Sequence, residues 1–310
     1  MSSLHEDPNW PRAHTWLAGE ALPDAVPGFT VLGAPVSRGS ILPGRCDLAP
    51  HAIRTSLHRF STYDLNAGRD IRHLRVSDAG DLDVAQSTPE QAFEPIRDAV
   101  KSALNGGSAV FMLGGDNSIS FPGFHGMGVD PARCGLLTLD TRFDLMDLDG
   151  GLTSANPVRA LLRDGLLGDH IYQIALQPFA NSETYAAVAR EAGIHVVPVD
   201  RIFERGIVKI VHEALGHLHQ HTDAIYVTLD FDVMDRVYAP AAFGARPGGL
   251  NPHQVRRVAH LAGLHPKVRV FDIVEIDPTK DVADVTVLAA AACMLEFASG
   301  FLGRLKGFAA

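Results

Sequence analysis

Short apolar runs alternate with longer amphipathic segments along most of this chain. The apolar runs are rich in Val, Ile and Leu and alternate little with polar residues, which is typical of parallel strands covered on both faces. The runs predicted as strands are Phe29–Gly33, Ser108–Leu113, Gly135–Leu139, Ile171–Leu176, Ile194–Val199, Ala224–Leu229 and Val268–Val274. The hydrophobic pattern therefore predicts a mostly parallel sheet.

The segments between these runs carry the signals of helices. Thr88 is a predicted N-cap, Pro89 takes the first helical position, and the helix runs toward Leu104. Further helices are predicted near residues 156–164, 181–192, 202–220, 252–263 and 282–302. The repeated strand–helix order predicts one three-layer α-β-α domain with a mostly parallel sheet over residues 28–310. Residues 1–27, with four prolines, are predicted as an irregular arm.

Composition narrows the classes of function. A net charge of −9 over 310 residues argues against binding to nucleic acid or an anionic membrane. No apolar run is expected to reach the roughly 18 residues that span a bilayer, and the N-terminal segment lacks the apolar core of a signal peptide. The three cysteines are odd in number and far apart, which favours reduced thiols and a cytoplasmic location.

Polar side chains follow four of the predicted strands. They are Asp116 and Asn117, Asp140 and Asp144, Asp230 and Asp232, and Glu275. Because ligands of parallel α/β sheets bind beyond the carboxyl ends of the strands, we expect these side chains to converge on one edge. Carboxylates gathered there are costly unless a cation neutralises them. The sequence therefore predicts a cation-binding site at this edge.

Four motifs, in this order and spacing, resemble those of the ureohydrolase family, which includes arginases, agmatinases, guanidinobutyrases and formimidoylglutamases. The motifs are Gly114 to Ser118, Asp140 to Asp144, Thr228 to Asp235 and Asp272 to Pro278. The resemblance covers about residues 29–300. It implies an arginase-like fold, hydrolysis of C–N bonds in linear amidines or guanidines, and a trimer or hexamer. It also implies two manganese ions, held in the family by four aspartates and two histidines.

The chain departs from this pattern at the metal ligands. The four family aspartates are matched by Asp140, Asp144, Asp230 and Asp232, whereas Asn117 and Arg142 stand at the two histidine positions. An asparagine carbonyl can still bind a hard cation, but a guanidinium has no lone pair to give. We therefore expect at most one divalent ion, manganese by resemblance, held by Asn117 and the aspartates, or no ion. Arg142 is expected to pair with Asp230 or Asp232 instead.

The substrate-binding positions are partly retained. In the family the equivalent of Glu275 holds the substrate's guanidinium, and a carboxylate suits that planar cation. Ser154 stands where the family has a proton-shuttling histidine, and Asn156 lies in the same segment; both are candidate substrate-binding residues. Met146 stands where relatives place a polar residue that contacts the far end of the substrate, and methionine offers no hydrogen bond to a carboxylate there.

These departures leave three hypotheses. The first is a hydrolase of linear amidines or guanidines with a metal-poor or metal-free site, so that Asp140, Arg142, Asp144, Asp230, Asp232 and Glu275 are the candidate catalytic residues. The second is a catalytically inactive homologue that acts as a binding or regulatory subunit. The third is an enzyme of altered chemistry in the same pocket.

Two histidines of one helix, His217 and His221, are predicted to lie on the surface at the edge of the sheet opposite the site. His125 is predicted to lie nearer the site.

Overall fold

The computed structural model describes residues 7–106 and 109–307. Within these ranges the central sheet has eight strands, all parallel, in the order β4-β1-β5-β10-β9-β6-β7-β8. Its strands are β1 Val26–Ala34, β4 Leu74–Asp81, β5 Val110–Gly114, β6 Cys134–Leu139, β7 Ile171–Leu176, β8 His195–Pro198, β9 Ala224–Asp230 and β10 Val268–Val274; β2 Tyr63–Asp64 and β3 Arg69–Asp70 form a separate antiparallel pair. The predicted mostly parallel sheet is confirmed.

Helices cover both faces of the sheet and complete the three predicted layers. They are α1 Ala13–Leu17, α2 Ala49–Ser56, α3 Pro89–Gly106, α4 Ser120–His125, α5 Pro157–Arg163, α6 Glu183–Ala192, α7 Val199–Arg205, α8 Ile207–His221, α9 Pro252–Leu264 and α10 Val285–Leu305. The core residues of β5 alternate between the two layers. Phe111 and Leu113 pack with α2, α8, α9 and α10 on one face, and Val110 and Met112 pack with α3, α4, α5 and α6 on the other. Strand β5 is therefore apolar on both of its faces.

Two of the differences from the predicted elements have a clear local cause. Strand β4 was not predicted, because this edge strand buries only Leu74 and Val76 and is otherwise mainly exposed. The predicted helix 202–220 is two helices, divided at Gly206, whose φ of 82° interrupts the helical path. The first residue of the predicted strand Ser108–Leu113 lies outside the described residues.

The segment predicted as an irregular arm is packed against the domain from Ala13 onward. Trp16, in α1, is fully buried, and its ring nitrogen donates a hydrogen bond to the Leu74 carbonyl at 2.8 Å. The ring also contacts Phe29 edge-on, with the centroids 6.5 Å apart. This part of the segment therefore belongs to the core, and β1 begins within it at Val26.

Helix α10 has the length predicted for residues 282–302, but it is more apolar than the expectation that no run would suit a bilayer span. By length and composition alone it would suit a bilayer span, but 72% of its most apolar window is buried inside the protein. It packs closely against α9, because Gly263 and Gly300 face the partner helix: a Cβ on either one would lie within about 2.2 Å of a backbone carbonyl oxygen there. Such close packing is what a core helix of the α-β-α layers requires.

Candidate functional site

The polar residues that follow four strands meet at the carboxyl edge of the sheet. The strands β5, β10, β9 and β6 are consecutive neighbours in space, although β10 follows β9 in the chain. Their ends carry Asn117, Glu275, Asp230 with Asp232, and Asp140 with Asp144. All of these side chains are at most 5% exposed. The structure thus brings the predicted residues into one buried acidic cluster, which we define as Asn117, Asp140, Arg142, Asp144, Asp230, Asp232 and Glu275.

Backbone and hydroxyl donors hold three of the aspartates, each through its Oδ1. The Arg142 amide donates to Asp140 at 2.7 Å, the Asp232 amide donates to Asp230 at 2.8 Å, and the Thr141 hydroxyl donates to Asp232 at 2.9 Å. The bonds to Asp140 and Asp230 lie within the turns that close β6 and β9 and are set by the local sequence. The bond to Asp232 comes from Thr141 at the end of the neighbouring strand β6, so that carboxyl group is held by the tertiary fold.

The second oxygens of the cluster are less well satisfied. Asp144 Oδ1, Asp230 Oδ2 and Asp232 Oδ2 are buried and have no hydrogen-bond partner among the described residues. Carboxylate oxygens of Asp140, Asp230 and Asp232 lie within 4.8 Å of one another. A buried carboxylate oxygen without a donor is costly, and a shared cation is the usual remedy. This arrangement fits a metal ion.

The Arg142 guanidinium enters the cluster with its side chain only 17% exposed. Its Nη2 lies 3.2 Å from Asp232 Oδ2 and 3.9 Å from Asp230 Oδ2, and its Nε lies 3.9 Å from Asp144 Oδ1. Burial lowers the pKa of Arg142, but Asp232 and the other aspartates outweigh it and raise that pKa well above the usual value. The guanidinium stays charged and is closest to Asp232, but one positive charge does not balance four carboxylates.

Burial raises the pKa of four of the cluster's carboxyl groups. The pKa of Asp140 is well above its usual value because of burial and the charges of Asp144 and Asp232. The pKa of Asp230 is also well above its usual value, because of burial and the charges of Asp232 and Glu275. Burial raises the pKa of Asp144 to about 6, although the charge of Arg142 opposes the shift. Burial and the charge of Asp116 together raise the pKa of Glu275 to about 8. Ionising all four groups together is therefore costly unless a cation is shared among them.

Two members of the cluster have strained backbones. Asp144 has a φ of 51° and Glu275 a φ of 64°, in the left-handed region that side-chain-bearing residues rarely adopt. The Glu275 amide donates to the Gly115 carbonyl at 3.0 Å, and its Oε1 accepts from the Asn117 amide at 2.9 Å. Strain of this kind persists only where the surroundings impose it, and it is concentrated at functional sites.

Asn117 differs in detail from the predicted metal ligand. Its Nδ2, not its carbonyl oxygen, faces Asp144 Oδ2 at 2.5 Å, and its Oδ1 lies 2.9 Å from the Ser120 hydroxyl. The same hydroxyl lies 2.7 Å from Asp272 Oδ2, which also accepts from Tyr226. Since Ser120 has one proton, donating it to ionised Asp272 leaves Ser120 an acceptor toward Asn117. That pairing requires a 180° rotation of the amide, which turns Oδ1 toward the cluster.

Asp272, Ser120 and Tyr226 were not predicted as site residues, although their hydrogen bonds connect to Asn117. Asp272 is fully buried in β10, and burial raises its pKa to about 6 while bonds from Thr228, Tyr226 and Ser120 oppose that shift. The detectable signal was an aspartate inside the apolar run Val268–Val274.

Three candidate substrate-binding residues lie in the segment after β6, and the structure corrects one of them. The side chain of Asn156 is used within its own loop: Nδ2 donates to the Asp147 and Gly151 carbonyls, and Oδ1 accepts from the Thr153 amide. Asn156 therefore shapes the loop instead of facing a substrate. Ser154 is buried and its hydroxyl accepts from the Ile41 amide at 3.4 Å. Met146 is 41% exposed.

His125 does not join the cluster. Its Nε2 lies 3.1 Å from Asp164 Oδ2, and its ring packs edge-on against Phe121 with the centroids 4.8 Å apart. It belongs to the contact between α4 and α5.

The fold and the cluster together define a three-layer α/β protein with a buried acidic cluster at the carboxyl edge of its sheet. The model of the arginase family matches residues 27–300, and the chain belongs to that family. The resemblance to ureohydrolases drawn from the motifs is thereby confirmed.

Several similar proteins are formimidoylglutamases. The chain is 34% identical over 279 residues to the formimidoylglutamase of Halalkalibacterium halodurans, a match that covers 89% of this chain and 88% of that protein. The crystal structure of formimidoylglutamase from Bacillus subtilis superposes with a TM-score of 0.88 at 28% identity, covering 97% and 94% of the two chains. A formiminoglutamase of Trypanosoma cruzi, solved with two Mn²⁺ ions, superposes with a TM-score of 0.85 at 25% identity, covering 95% and 99%.

Proposed function

We propose that this protein hydrolyses a C–N bond of a linear amidine, with a formimino compound as the first candidate substrate, in a pocket shared by Arg142 and one divalent cation. The observation that carries the proposal is the pair of buried carboxylate oxygens without hydrogen-bond donors, Asp144 Oδ1 and Asp230 Oδ2, each 3.9 Å from Arg142. The similarity to formimidoylglutamases supports the choice of substrate class.

The residues divide between the ion and Arg142. Asp140, Asp144 and Asp230 would bind the ion, and Asn117 would add its carbonyl oxygen after the amide rotation described above. Oxygen ligands of this kind suit a hard ion such as manganese. Asp232 is left to pair with Arg142, its nearest carboxylate contact at 3.2 Å. The absence of a side chain on Gly244 provides space beside Asp232, because a Cβ there would lie 1.9 Å from Asp232 Oδ2.

The chemistry that such an ion supplies is the activation of a water molecule for attack on an amidine carbon at neutral pH. Glu275, once ionised, would hold the amidinium through two hydrogen bonds and orient its carbon toward the aspartates. As the C–N bond breaks, the leaving nitrogen takes a proton that came from the water. The products are an amide, formamide for a formimino substrate, and a free amine.

A second candidate function is a binding or regulatory role without catalysis. The position of Arg142 favours it, because a permanent cation among the aspartates repels a metal ion and reduces the activation of water. The exposed Met146 also fails to supply a hydrogen bond for an acidic substrate tail. In either role we expect a small amidine or guanidine ligand, a homo-oligomer such as a trimer or hexamer, and a cytoplasmic location.

The test is a turnover assay on protein loaded with manganese or stripped with a chelator. The substrates are formimidoylglutamate, agmatine, guanidinobutyrate and arginine, and the product measured is the released amine or urea. We expect manganese-dependent turnover of a formimino substrate and its loss in Glu275→Gln. Binding of these ligands without turnover, measured by calorimetry, would instead establish the regulatory role. Failure to bind or convert any of them would refute the proposal.

A further inference from the structure

A second cluster of ligating side chains lies at the opposite edge of the sheet, outside the acidic cluster. We propose that Asp169, His195 and His217 form a binding site for a divalent transition metal ion of the zinc, nickel or copper class. Asp169 lies just before β7, His195 is the first residue of β8, and His217 lies near the end of α8. All three positions are at the amino-terminal edge of the parallel strands, and the site is therefore separate from the pocket that holds the aspartates.

The potential ligand atoms already converge. His195 Nε2 lies 2.9 Å from Asp169 Oδ1, and His217 Nε2 lies 3.5 Å from Asp169 Oδ2. One ligand atom from each residue lies within 4.8 Å of the others. Two ligands about 2.1 Å from one tetrahedral ion are about 3.4 Å apart, so small side-chain rotations would accommodate the ion.

Neighbouring rings hold the imidazoles in this orientation. Tyr172 stacks on His195 with the centroids 4.2 Å apart and the planes 12° from parallel, and it also contacts His217 at 5.4 Å. Rings fixed in this way lose little freedom when an ion binds, which favours affinity. His221 lies one turn beyond His217 on α8, with the two centroids 4.5 Å apart, and it is the available fourth ligand.

The ligand chemistry separates the two sites. Two or three imidazoles and one carboxylate suit zinc, nickel and copper, whereas the carboxylate and amide oxygens of the acidic cluster suit harder ions. Asp169 is 62% exposed at its side chain, so an ion can enter from solvent and keep a water molecule. An ion at this position would link α8 to the edge strand β8 and stabilise the edge of the sheet by mass action.

The experiment uses the full chain, stripped with a chelator and then titrated with Cu²⁺. Electron paramagnetic resonance separates the sites, because imidazole nitrogens give superhyperfine splitting and the oxygen ligands of the acidic cluster do not. We expect one Cu²⁺ per chain with nitrogen splitting, and one tightly bound Zn²⁺ per chain by calorimetry and elemental analysis. Both His195→Ala and His217→Ala should weaken binding at least about tenfold, since losing even an outer-shell partner of a metal site costs that much.

Two further variants keep the outcome decisive. His253→Ala removes an exposed histidine of α9 outside the cluster and should leave the affinity unchanged. Asp169→Asn alters an exposed side chain, tests the site even if a histidine variant folds poorly, and should also weaken binding at least about tenfold. The proposal is overturned if wild-type protein gives no nitrogen splitting, if it binds Zn²⁺ more weakly than about 100 μM, or if both histidine variants bind the ion as tightly as the wild-type protein.

Discussion

Replacing Arg142 by glutamine tests whether this side chain acts as the built-in cation of the acidic cluster. Arg142→Gln keeps much of the side-chain length and its ability to donate a hydrogen bond but removes the positive charge. The change leaves the four aspartates of the cluster without their nearest cation, and the nearest contact, to Asp232 Oδ2 at 3.2 Å, loses its charge. We expect the metal-free variant to be less stable than the metal-free native protein and to bind manganese more tightly.

The contact distances give the scale of the effect. At an effective dielectric constant of about 20, opposite charges at the Asp232 distance attract by roughly 5 kcal/mol, and at the longer Asp230 and Asp144 distances by about 4 kcal/mol each. Desolvation of the guanidinium offsets most of this attraction, and removing one partner of a buried ion pair typically costs about 3–5 kcal/mol. Asp140 and Asp230 can take up protons when the guanidinium is removed, because burial already raises their pKa values. This proton uptake should limit the loss of stability to the lower end of that range, about 3 kcal/mol. For a chain of this length about 3 kcal/mol lowers the midpoint of thermal unfolding by roughly 5 °C.

The assay is calorimetric unfolding near neutral pH, with chelator and with excess manganese, together with a manganese titration. Manganese should bind Arg142→Gln at least about tenfold more tightly, a difference of about 1.4 kcal/mol, because a repelling charge has gone. Arg142→Lys is the matched control, since it keeps the charge but loses the planar fork, and its affinity for manganese should stay near that of the native protein. Arg163→Gln removes an arginine whose side chain is 61% exposed and should change stability by less than about 1 kcal/mol.

Two results would refute this reasoning. If the native protein binds two manganese ions tightly, Arg142 does not exclude an ion. If Arg142→Gln is as stable as the native protein in chelator and binds manganese no better, the guanidinium has no electrostatic role in the cluster.

Other perturbations give separate checks. In chelator, the free energy of unfolding should fall as pH rises through about 6 and then about 8, because the folded-state pKa values of Asp144 and Glu275 are raised to those levels. Their stabilising contribution is fully present below the unfolded-state pKa values and is lost as pH rises through the folded-state ones. Urea unfolding between about pH 5 and about pH 9 measures this, and a rise in stability with pH would contradict it. Glu275→Gln should remove that upper step, and excess manganese should reduce the lower one. Met146→Arg should lower KM for amidines with an acidic tail with little change for agmatine, as steady-state kinetics would reveal; equal effects on both would contradict a tail contact. Trp16→Ala should cost about 3–5 kcal/mol in unfolding free energy, because the fully buried ring leaves a cavity; a loss below about 1 kcal/mol would place the N-terminal segment outside the cooperative core.

Much of the fold was predictable because strands buried on both faces have a local signature. The run Val268–Val274 was predicted with the bounds that the structure has, since its apolar side chains face helices on both sides. Strand β4 lacks that signature because it lies at the edge and exposes most of its residues. Trp16 was also missed, because a single aromatic residue among prolines gives no periodic pattern.

The site was predictable as a set of residues but not as an arrangement. Asp140 and Asp230 were identified because a strand end in a parallel sheet faces the ligand edge. The hydrogen-bond network around Asn117 and the donor-free carboxylate oxygens depend on distances between segments far apart in the chain. The use of Asn156 within its own loop depends on the path of that loop, which no regular pattern in the sequence predicts.

The sequence by itself determined the layered α/β class, the edge at which the acidic residues gather, and the presence of Arg142 and Asn117 among them. These are local properties, because side-chain chemistry and strand burial are encoded within a few residues. Only the tertiary structure decided which residues meet: β10 inserts between β5 and β9 and brings Glu275 against Asn117. Strand order depends on how whole helices pack across the sheet, and no short stretch of sequence contains that information.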